Sequence, residues 1–459
     1  MNAIIDENID DIIDFIKEHF ENNRIDEIKN IIEKMHPVDL ADVLMELSDE
    51  NRLNFLNLLS WEDSSEVLSE LGPESFSEVL ELLGKDKKTY VLDRMSQDDI
   101  VDKLGELEED RRKEIIAYLD IENARDVREL LVYDEDTAGG IMTKDFISLK
   151  SDYTIYKAIE TLRKTEVDNE TIYYVYVTDL EERLVGVISL RELIIAKPNQ
   201  LISEIMNENV ISVTTSDDQE EVARIVSKYD LLVIPVTDND GVLSGIITMD
   251  DIIDVIEEEA TEDILKFAGS SDLEDFDEEN FGMRILMSVR SRLPWLIITL
   301  FGGLFTSHIV SNFQGVINSN TTLAMFMPLL AGMGGNVGTQ SSTLTVRSIA
   351  VDQIRGKEVL LTIFQEGIVG ISIGIVCSII VAISSFYLKG DILMSLIVGV
   401  AMMSNIVTAA TIGTMVPIVF KKIGVDPAVA SAPFISTTVD ITGLTIYFTL
   451  ATLMMKAWL

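Results

Sequence analysis

The chain has 459 residues, of which 78 are Asp or Glu and 36 are Lys or Arg, so its formal net charge at pH 7 is −42. This length suggests about three domains, and so acidic a chain repels nucleic acid and anionic lipid while it concentrates cations. A disulfide framework is excluded because Cys377 is the only cysteine in the sequence.

The charge is divided unevenly along the chain. All but six of the acidic residues and all but ten of the basic ones lie before Gly282, so a strongly acidic part precedes an apolar, slightly basic one. The N-terminal residues lack the basic-then-apolar pattern of a signal peptide, so we expect the acidic part in the cytoplasm. Its self-repulsion predicts that a divalent metal neutralises it when its parts pack closely.

The first hundred-odd residues carry an amphipathic helix and then a repeat of about 12 residues. Each unit has a turn or capping residue, an acidic first turn and apolar residues at helical spacing. We therefore predict an all-α superhelical domain over residues 1–136. The units that show the pattern most clearly are 37–44, 61–68, 73–80 and 97–104.

The next region consists of two similar halves, each with a short strand, an amphipathic helix and two further strands. Both halves begin with an Ile-Met dipeptide, at Ile141 and Ile205, and both close with a glycine-led segment, from Gly186 and Gly245. Because order and spacing repeat, the region resembles a pair of CBS domains, with an unrelated α/β domain as the alternative. The predicted domains are 137–200 and 201–256.

A helix from Asp250 leads into an acidic connecting segment over residues 257–282 and then to five apolar runs. Each run is close to or longer than the ~20 residues that cross a bilayer. We therefore predict an all-α transmembrane domain of about five helices over residues 283–459. The loops richest in Lys and Arg share a side with the acidic part, so the C-terminus is expected outside the cytoplasm. The runs are 293–310, 323–344, 359–386, 392–420 and 428–450.

The last run contains one carboxylate, Asp440. A charge at mid-membrane costs roughly 2.5–3.5 kcal/mol, so it persists only where it faces protein, water or a counter-ion. Thr437, Thr438 and Thr442 lie within one turn and supply hydroxyls, while Pro433 frees a nearby carbonyl. This stretch indicates an oxygen-lined cation site. The alternative is a carboxylate that is protonated or paired for packing alone.

Acidic superhelical repeats, paired CBS domains, an acidic connecting helix and about five spans together resemble the MgtE family of magnesium channels, over essentially the full chain. The most specific membrane segments are 334–342 and 433–440, both similar to the family's pore-lining segments. Asn336 and Gln340 lie one turn apart and offer amide oxygens to a hydrated ion. Segment 334–342 also suits close helix packing through small residues. It lacks the ending of a phosphate-binding loop.

The resemblance implies a homodimer in the plasma membrane, with a pore on the two-fold axis where Asp440 of each copy faces the ion, beside Thr437. Mg²⁺ dehydrates reluctantly, so a wide ring of oxygens around a hydrated ion suits it. Cytosolic Mg²⁺ is also the implied regulatory ligand, which binds the acidic domains and closes the pore. The matching sensor positions are Glu66, Asp98 and Asp102 in the superhelix, Gly140 (carbonyl), Asp218, Ser227 (carbonyl), Asp230, Asp251 and Asp254 in the CBS pair, and Glu259, Glu262 and Asp426 beyond it.

CBS pairs often bind adenine nucleotides through a Gly-x-x-Thr/Ser-x-x-Asp segment. Gly245, Thr248 and Asp251 match this pattern, whereas the first half has Glu192 in place of the Asp. The resemblance therefore implies at most one site for a nucleotide such as ATP.

These observations favour a Mg²⁺-selective channel or transporter that cytosolic Mg²⁺ closes. One alternative is a proton- or sodium-coupled exchanger of divalent metal, with Asp440 as the coupled carboxylate. Another is a membrane-anchored nucleotide-sensing CBS protein, although an anchor needs no polar segments within its spans. An enzyme is not expected, because the three histidines show no metal-binding spacing and no Walker or Gly-x-Ser-x-Gly sequence occurs.

Overall fold

The computed structural model describes residues 9–22, 24–164, 173–270, 281–351, 354 and 358–458. It contains two compact units, Met1–Ile256 and Glu257–Leu459. Part of the predicted connecting segment, residues 271–280, lies outside the described residues.

Ten short helices in the described residues build the first part of unit 1. The last eight begin at intervals of 12 residues, so the predicted repeat is confirmed and extends to units that the sequence pattern did not reveal. The bounds are α1 Ile9–Glu21, α2 Ile25–Ile32, α3 Pro37–Met45, α4 Asp49–Leu58, α5 Trp61–Ser69, α6 Pro73–Leu82, α7 Lys85–Arg94, α8 Gln97–Gly105, α9 Glu109–Ile116 and α10 Ile121–Leu130.

The same two positions of successive repeats form the core of this superhelix. Val67 and Leu68 of α5, like Val91 and Leu92 of α7, are fully buried. Several helices pack on the next but one, as α3 does on α5, α5 on α7, α6 on α8 and α8 on α10. Lys103 of α8 takes a position that is apolar in α5 and α7, and burial lowers the pKa of its amine.

Two three-stranded sheets follow, with the strand orders β1-β2-β3 and β4-β5-β6. In each sheet the first strand runs parallel to the central strand, and the third strand runs antiparallel to it. The matching registers confirm two similar α/β halves. Strand β4 is the shortest of the six, with two residues. The bounds are β1 Ser148–Lys150, α11 Ile155–Leu162, β2 Tyr174–Thr178, β3 Leu184–Ser189, α12 Leu190–Ile195, a 3-10 turn Ile202–Glu204, β4 Val213–Thr214, α13 Gln219–Tyr229, β5 Val233–Thr237 and β6 Leu243–Thr248.

The Ile-Met segment that opens each half in the sequence packs against the other half. Thr143 forms an isolated bridge with Ile246, and Asn207 forms one with Val187. A Cβ atom on Gly245 would lie 2.8 Å from Sδ of Met142, so a glycine is needed for this close approach. The two halves are therefore interlocked by their first segments.

Unit 2 consists of the end of α14 and six further helices among the described residues. Four of its helices, α15, α18, α19 and α20, are long and apolar enough to cross a membrane. The 29-residue α17 is also of spanning length but carries the polar segment 334–342, so the five predicted runs correspond to five long helices. The bounds are α14 Met249–Ala268, α15 Phe281–Asn312, α16 Gln314–Ser319, α17 Thr322–Ala350, α18 Glu358–Lys389, α19 Ile392–Lys422, a 3-10 turn Pro427–Val429 and α20 Ala432–Trp458.

Candidate ion pathway and acidic sites

Asp440 lies in the first half of α20, where the helix packs closely on α17. Its neighbour Val439 is buried, and Cβ atoms on Gly334 and Gly338 would lie 2.9 and 3.0 Å from the Val439 methyl groups. These glycines let the two backbones approach, because any side chain there would displace α20. The half-buried Asp440 is therefore carried by a helix that packs against segment 334–342, the same segment that carries the predicted amides.

Asn336 and Gln340 are exposed in the single chain, although they lie in the middle of a helix of spanning length. The glycines between them and around them face α20, so the two amides stand on another face of α17. Polar groups on a spanning helix need water or protein as neighbours. This face is therefore available to an aqueous path.

The threonines around Asp440 donate their hydroxyl protons within α20 itself. Thr437 Oγ1 donates to the carbonyl of Pro433 at 2.8 Å, Thr438 Oγ1 to that of Phe434 at 2.9 Å, and Thr442 Oγ1 to that of Thr438 at 2.9 Å. Their oxygens keep lone pairs that can still accept. Pro433 lies in the first turn of α20, where its missing N–H disrupts no helical bond, so it does not loosen the helix.

Thr437 also packs against α15. A Cβ atom on Gly302 of α15 would collide with the Thr437 methyl group, so the two helices touch at this point. The predicted role of Thr437 in the ion pathway therefore concerns its oxygen, while its methyl group holds α15 in place.

Glu366 of α18 and Asn405 of α19 are polar side chains within the spans to which the sequence analysis gave no role. Ser341 Oγ of α17 donates to Glu366 Oε2 of α18 at 3.0 Å, and Asn405 Nδ2 of α19 donates to the carbonyl of Leu330 at 2.7 Å. The signal that would have found them is the one that identified Asp440, an isolated polar residue in an apolar run.

Asp426 forms the centre of a charged cluster with the last turns of α14. Its Oδ2 lies 3.0 Å from Nζ of Lys266, which also forms an ion pair with Glu262, and its Oδ1 accepts from the backbone N–H of Ala428 at 2.8 Å. Burial and the charge of Asp426 raise the pKa of Asp263 to about 6. Burial alone would lower the pKa of the Lys266 amine, but the hydrogen bonds to Glu262 and Asp426 outweigh it and raise that pKa.

Glu259 adds a further negative charge to this cluster, since it too raises the pKa of Asp263. The structure thus brings together the predicted Glu259, Glu262 and Asp426, with Asp263 and Lys266 as members that the sequence analysis missed. Four acids against one lysine leave an excess of negative charge, which suits a bound cation.

Several predicted sensor residues of the CBS pair also cap helices. Asp218 is the N-cap of α13 and accepts from the N–H of Glu220 at 2.9 Å, while Asp230 ends that helix with a left-handed φ of 51°. Asp251 Oδ2 accepts from the N–H of Thr248 at 3.1 Å and from its hydroxyl at 2.5 Å. Capping alone gives these residues a structural role.

The remaining predicted sensor residues differ in exposure. Asp98 of α8 is 5% exposed. Burial raises the pKa of Asp251, and so do the charges of Asp250 and of Asp99, the neighbour of Asp98. Helix α8 therefore lies close to the start of α14. Gly140 is buried in a turn, with its N–H donated to the carbonyl of Thr137. The others are exposed: Glu66 and Asp102 in the superhelix, and Ser227 and Asp254 in the CBS pair.

Among the residues that the structure describes, no three His, Cys, Asp or Glu side chains form a group that could hold a metal ion. Among these described residues, the four acids around Asp426 influence one another's charge but do not form a complete metal site within one chain, and neither do the other predicted sensor residues.

Comparison with known families agrees with this architecture. Residues 327–450 match the MgtE family, described as a divalent cation transporter, residues 35–136 match the MgtE intracellular N domain, and residues 138–199 and 202–258 match CBS domains. The fold and these matches define a multi-pass membrane protein of the divalent cation transporter class, with a helical N domain and a CBS pair.

Full-length relatives make the assignment specific. The chain is 41% identical to the magnesium transporter MgtE of Enterococcus faecalis over 335 residues, which cover 73% of each chain. It is 39% identical to that of Thermus thermophilus over 364 residues, 78% of this chain and 80% of the relative. The chain belongs to the MgtE family. Over 52% of its length the chain is similar to a crystal structure of the cytosolic domain of the Mg²⁺ channel MgtE in complex with ATP, with 38% identity, a TM-score of 0.49 and coverage of 98% of the other chain.

Proposed function

We propose that this protein carries Mg²⁺ across the plasma membrane along a pathway lined by Asp440, Asn336 and Gln340. The observation that carries the proposal is a half-buried carboxylate in a spanning helix that packs against the glycine-rich segment of α17. Carboxylate and amide oxygens suit a hydrated Mg²⁺ ion. Magnesium transporters similar to this chain over most of its length support the choice of ion.

The protein reconstituted in liposomes tests this function through uptake of Mg²⁺ driven by an inward gradient and a negative-inside potential. Uptake above that of empty liposomes is expected. Uptake that appears only with a proton or sodium gradient at fixed voltage would favour the coupled exchanger, and no Mg²⁺ uptake under either condition would contradict the proposal.

The pathway is completed by a second copy of the chain in this proposal. Asp440 is half-buried and Asn336 is exposed in the single chain, yet neither side chain tolerates contact with lipid tails. A two-fold axis near α20 would place two carboxylates around one ion and remove both groups from lipid. The acidic domains lie in the cytoplasm and the C-terminus lies outside.

Cytosolic Mg²⁺ regulates transport by bridging acids that repel one another when the metal is absent. The excess negative charge around Asp426 and the approach of Asp99 to Asp251 support such a response. Mg²⁺ must bind the closed arrangement more tightly than the open one, because equal affinity would shift neither population. Mg²⁺ also bridges Asp98 and Asp102 of the superhelix and the acids of the CBS pair in this proposal.

Limited proteolysis in detergent tests this regulation. We expect that added Mg²⁺ slows cleavage of the acidic part several-fold, because metal bridges reduce local opening. Sodium chloride at matched ionic strength is the control, since general screening would act through both salts. Equal protection by the two salts, or none by Mg²⁺, would count against a metal sensor.

The CBS pair binds one adenine nucleotide at the segment that begins at Gly245. Thr248 and Asp251 stand where β6 ends and α14 begins, and their mutual hydrogen bonds fix the start of the helix. The first half has the same capping arrangement, in which Ser189 donates to Glu192 at 2.7 Å. It therefore provides a matched comparison.

Thr248→Ala is expected to weaken ATP binding at least several-fold, while Ser189→Ala leaves it unchanged. Each variant loses one helix cap, worth about 1 kcal/mol, so their thermal stabilities should fall by similar amounts. Isothermal titration of the full-length protein with ATP measures the difference. Equal effects of both substitutions on ATP affinity would restrict Thr248 to its capping role.

A further inference from the structure

We propose that Asn405 of α19 is a positioning residue for the ion pathway, whose amide sets the spacing between α17 and α20. This inference rests on the proposed transport of Mg²⁺ and adds a residue to it. Asn405 does not line the pathway. It acts through the two helices that carry Asn336 and Asp440.

Asn405 is an amide in the interior of the helical bundle. It is 2% exposed, and its Nδ2 donates to the carbonyl of Leu330 in α17 at 2.7 Å. Its Oδ1 is buried and has no hydrogen-bond partner among the described residues. Burying an amide that is only half satisfied is costly. An apolar side chain would avoid that cost, so the donor must serve a purpose at this place.

Glycines on two helices enclose the amide. A Cβ atom on Gly334 of α17 would lie 2.6 Å from Asn405 Nδ2, and one on Gly443 of α20 would collide with Oδ1. Neither glycine has a positive φ, so small size and not backbone conformation is what the site requires. The amide therefore fills the space between α17 and α20, with room for nothing larger on either side.

The positions of these contacts connect Asn405 to the ion pathway. Gly334 is two residues before Asn336, and Gly443 is three residues after Asp440, almost one turn along the same helix. A hydrogen bond on one side and a steric stop on the other fix how far apart α17 and α20 lie. A change at residue 405 should therefore move Asn336 and Asp440 relative to each other, without removing any group that faces the ion.

Transport by Asn405→Ala, Gly443→Ala and the double variant tests the inference in liposomes. We expect each single variant to lower maximal Mg²⁺ uptake about tenfold and to shift the half-saturating Mg²⁺ concentration. The double variant should transport better than Gly443→Ala, because the added methyl group enters the space that the amide leaves. Thr414→Val is the matched control on α19, since the Thr414 hydroxyl is buried and donates only to Ala410 of its own helix.

The half-saturating concentration separates positioning from a purely structural role. Loss of folded protein lowers maximal uptake in proportion to the amount lost but leaves that concentration unchanged, and size-exclusion chromatography measures the amount. Asn405→Ser shortens the side chain, so its hydroxyl should bond within α19, as the Thr414 hydroxyl does, and this variant should transport like Asn405→Ala. If Asn405→Ala fails to fold, Asn405→Ser and Gly443→Ala decide instead, and wild-type kinetics in both would overturn the inference.

Two further outcomes distinguish this inference from the proposed function. Suppose that the wild-type protein takes up Mg²⁺ and that Asn405→Ala has the same maximal uptake and half-saturating concentration as Thr414→Val. This result would overturn the positioning role but not the proposed function. Absence of Mg²⁺ uptake by the wild-type protein would overturn the proposed function and this role with it.

Discussion

Asp440→Ala is expected to reduce Mg²⁺ uptake by about a hundredfold or more. A divalent ion gives up part of its favourable hydration in a spanning segment, and a facing carboxylate offsets that loss. Each 1.4 kcal/mol lost from that compensation lowers the rate about tenfold, so a loss of about 3 kcal/mol accounts for this effect. Uptake of Mg²⁺ into liposomes, at equal amounts of folded protein, measures it.

Two variants separate charge from shape at this position, and a third is the control. Asp440→Asn keeps the size and removes the charge, so it should transport as poorly as the alanine variant, whereas Asp440→Glu should retain more activity. Asp391→Asn makes the same chemical change at the start of α19, where Asp391 Oδ1 accepts from the N–H of Leu393 at 2.9 Å. Asn also caps helices, so uptake should be unaffected. Wild-type uptake by Asp440→Asn would remove the carboxylate from the mechanism.

Asp426→Asn should raise, by about tenfold, the cytosolic Mg²⁺ concentration at which uptake falls to half. This change corresponds to about 1.4 kcal/mol of coupling. Asp426 is the acid of the charged cluster that does not belong to α14, so a metal held between it and Glu259 or Glu262 joins two elements. Single-channel recording or uptake with Mg²⁺ titrated on the cytosolic side measures the change.

Lys266→Met is expected to lower the same inhibitory concentration. The Lys266 amine now neutralises Glu262 and Asp426, so its removal leaves two carboxylates for Mg²⁺. Lys164→Met is the matched control, because Lys164 forms an i,i+4 pair with Glu160 at 2.9 Å, and no second acid pairs with it among the residues that the structure describes. Unchanged inhibition in both Asp426→Asn and Lys266→Met would show that this cluster takes no part in sensing.

Several features of the fold could be predicted because they depend on neighbours in the sequence. An acidic first turn and apolar residues at helical spacing recur in each 12-residue unit, and a turn or capping residue precedes most of them, so each helix of the superhelix is specified locally. The order of strands and helix in each half of the CBS pair was also predicted from local pattern, but the lengths of the strands were not. The first strand of the second half covers only Val213–Thr214, because only two of its residues pair with β5.

The candidate site could be predicted only in part. Asp440 was recognisable because one carboxylate in a long apolar run is an anomaly that sequence alone reveals. Glu366 and Asn405 gave the same signal but had no recognisable neighbours in the sequence. Asp263 and Lys266 were hidden among the many charges of α14, where no local feature distinguishes them from solvated residues.

The sequence by itself determined the helical repeat, the number of apolar runs, the family and the presence of one carboxylate, Asp440, in the last run. These features depend on periodicity, segment length and side-chain type, which are local properties. The tertiary structure alone decided which distant groups meet. Asn405 lies 75 residues from Leu330, and Lys266 is separated from Asp426 by the first four long helices of unit 2. Such contacts depend on how closely the glycines let the helices pack, which no short stretch of sequence can specify.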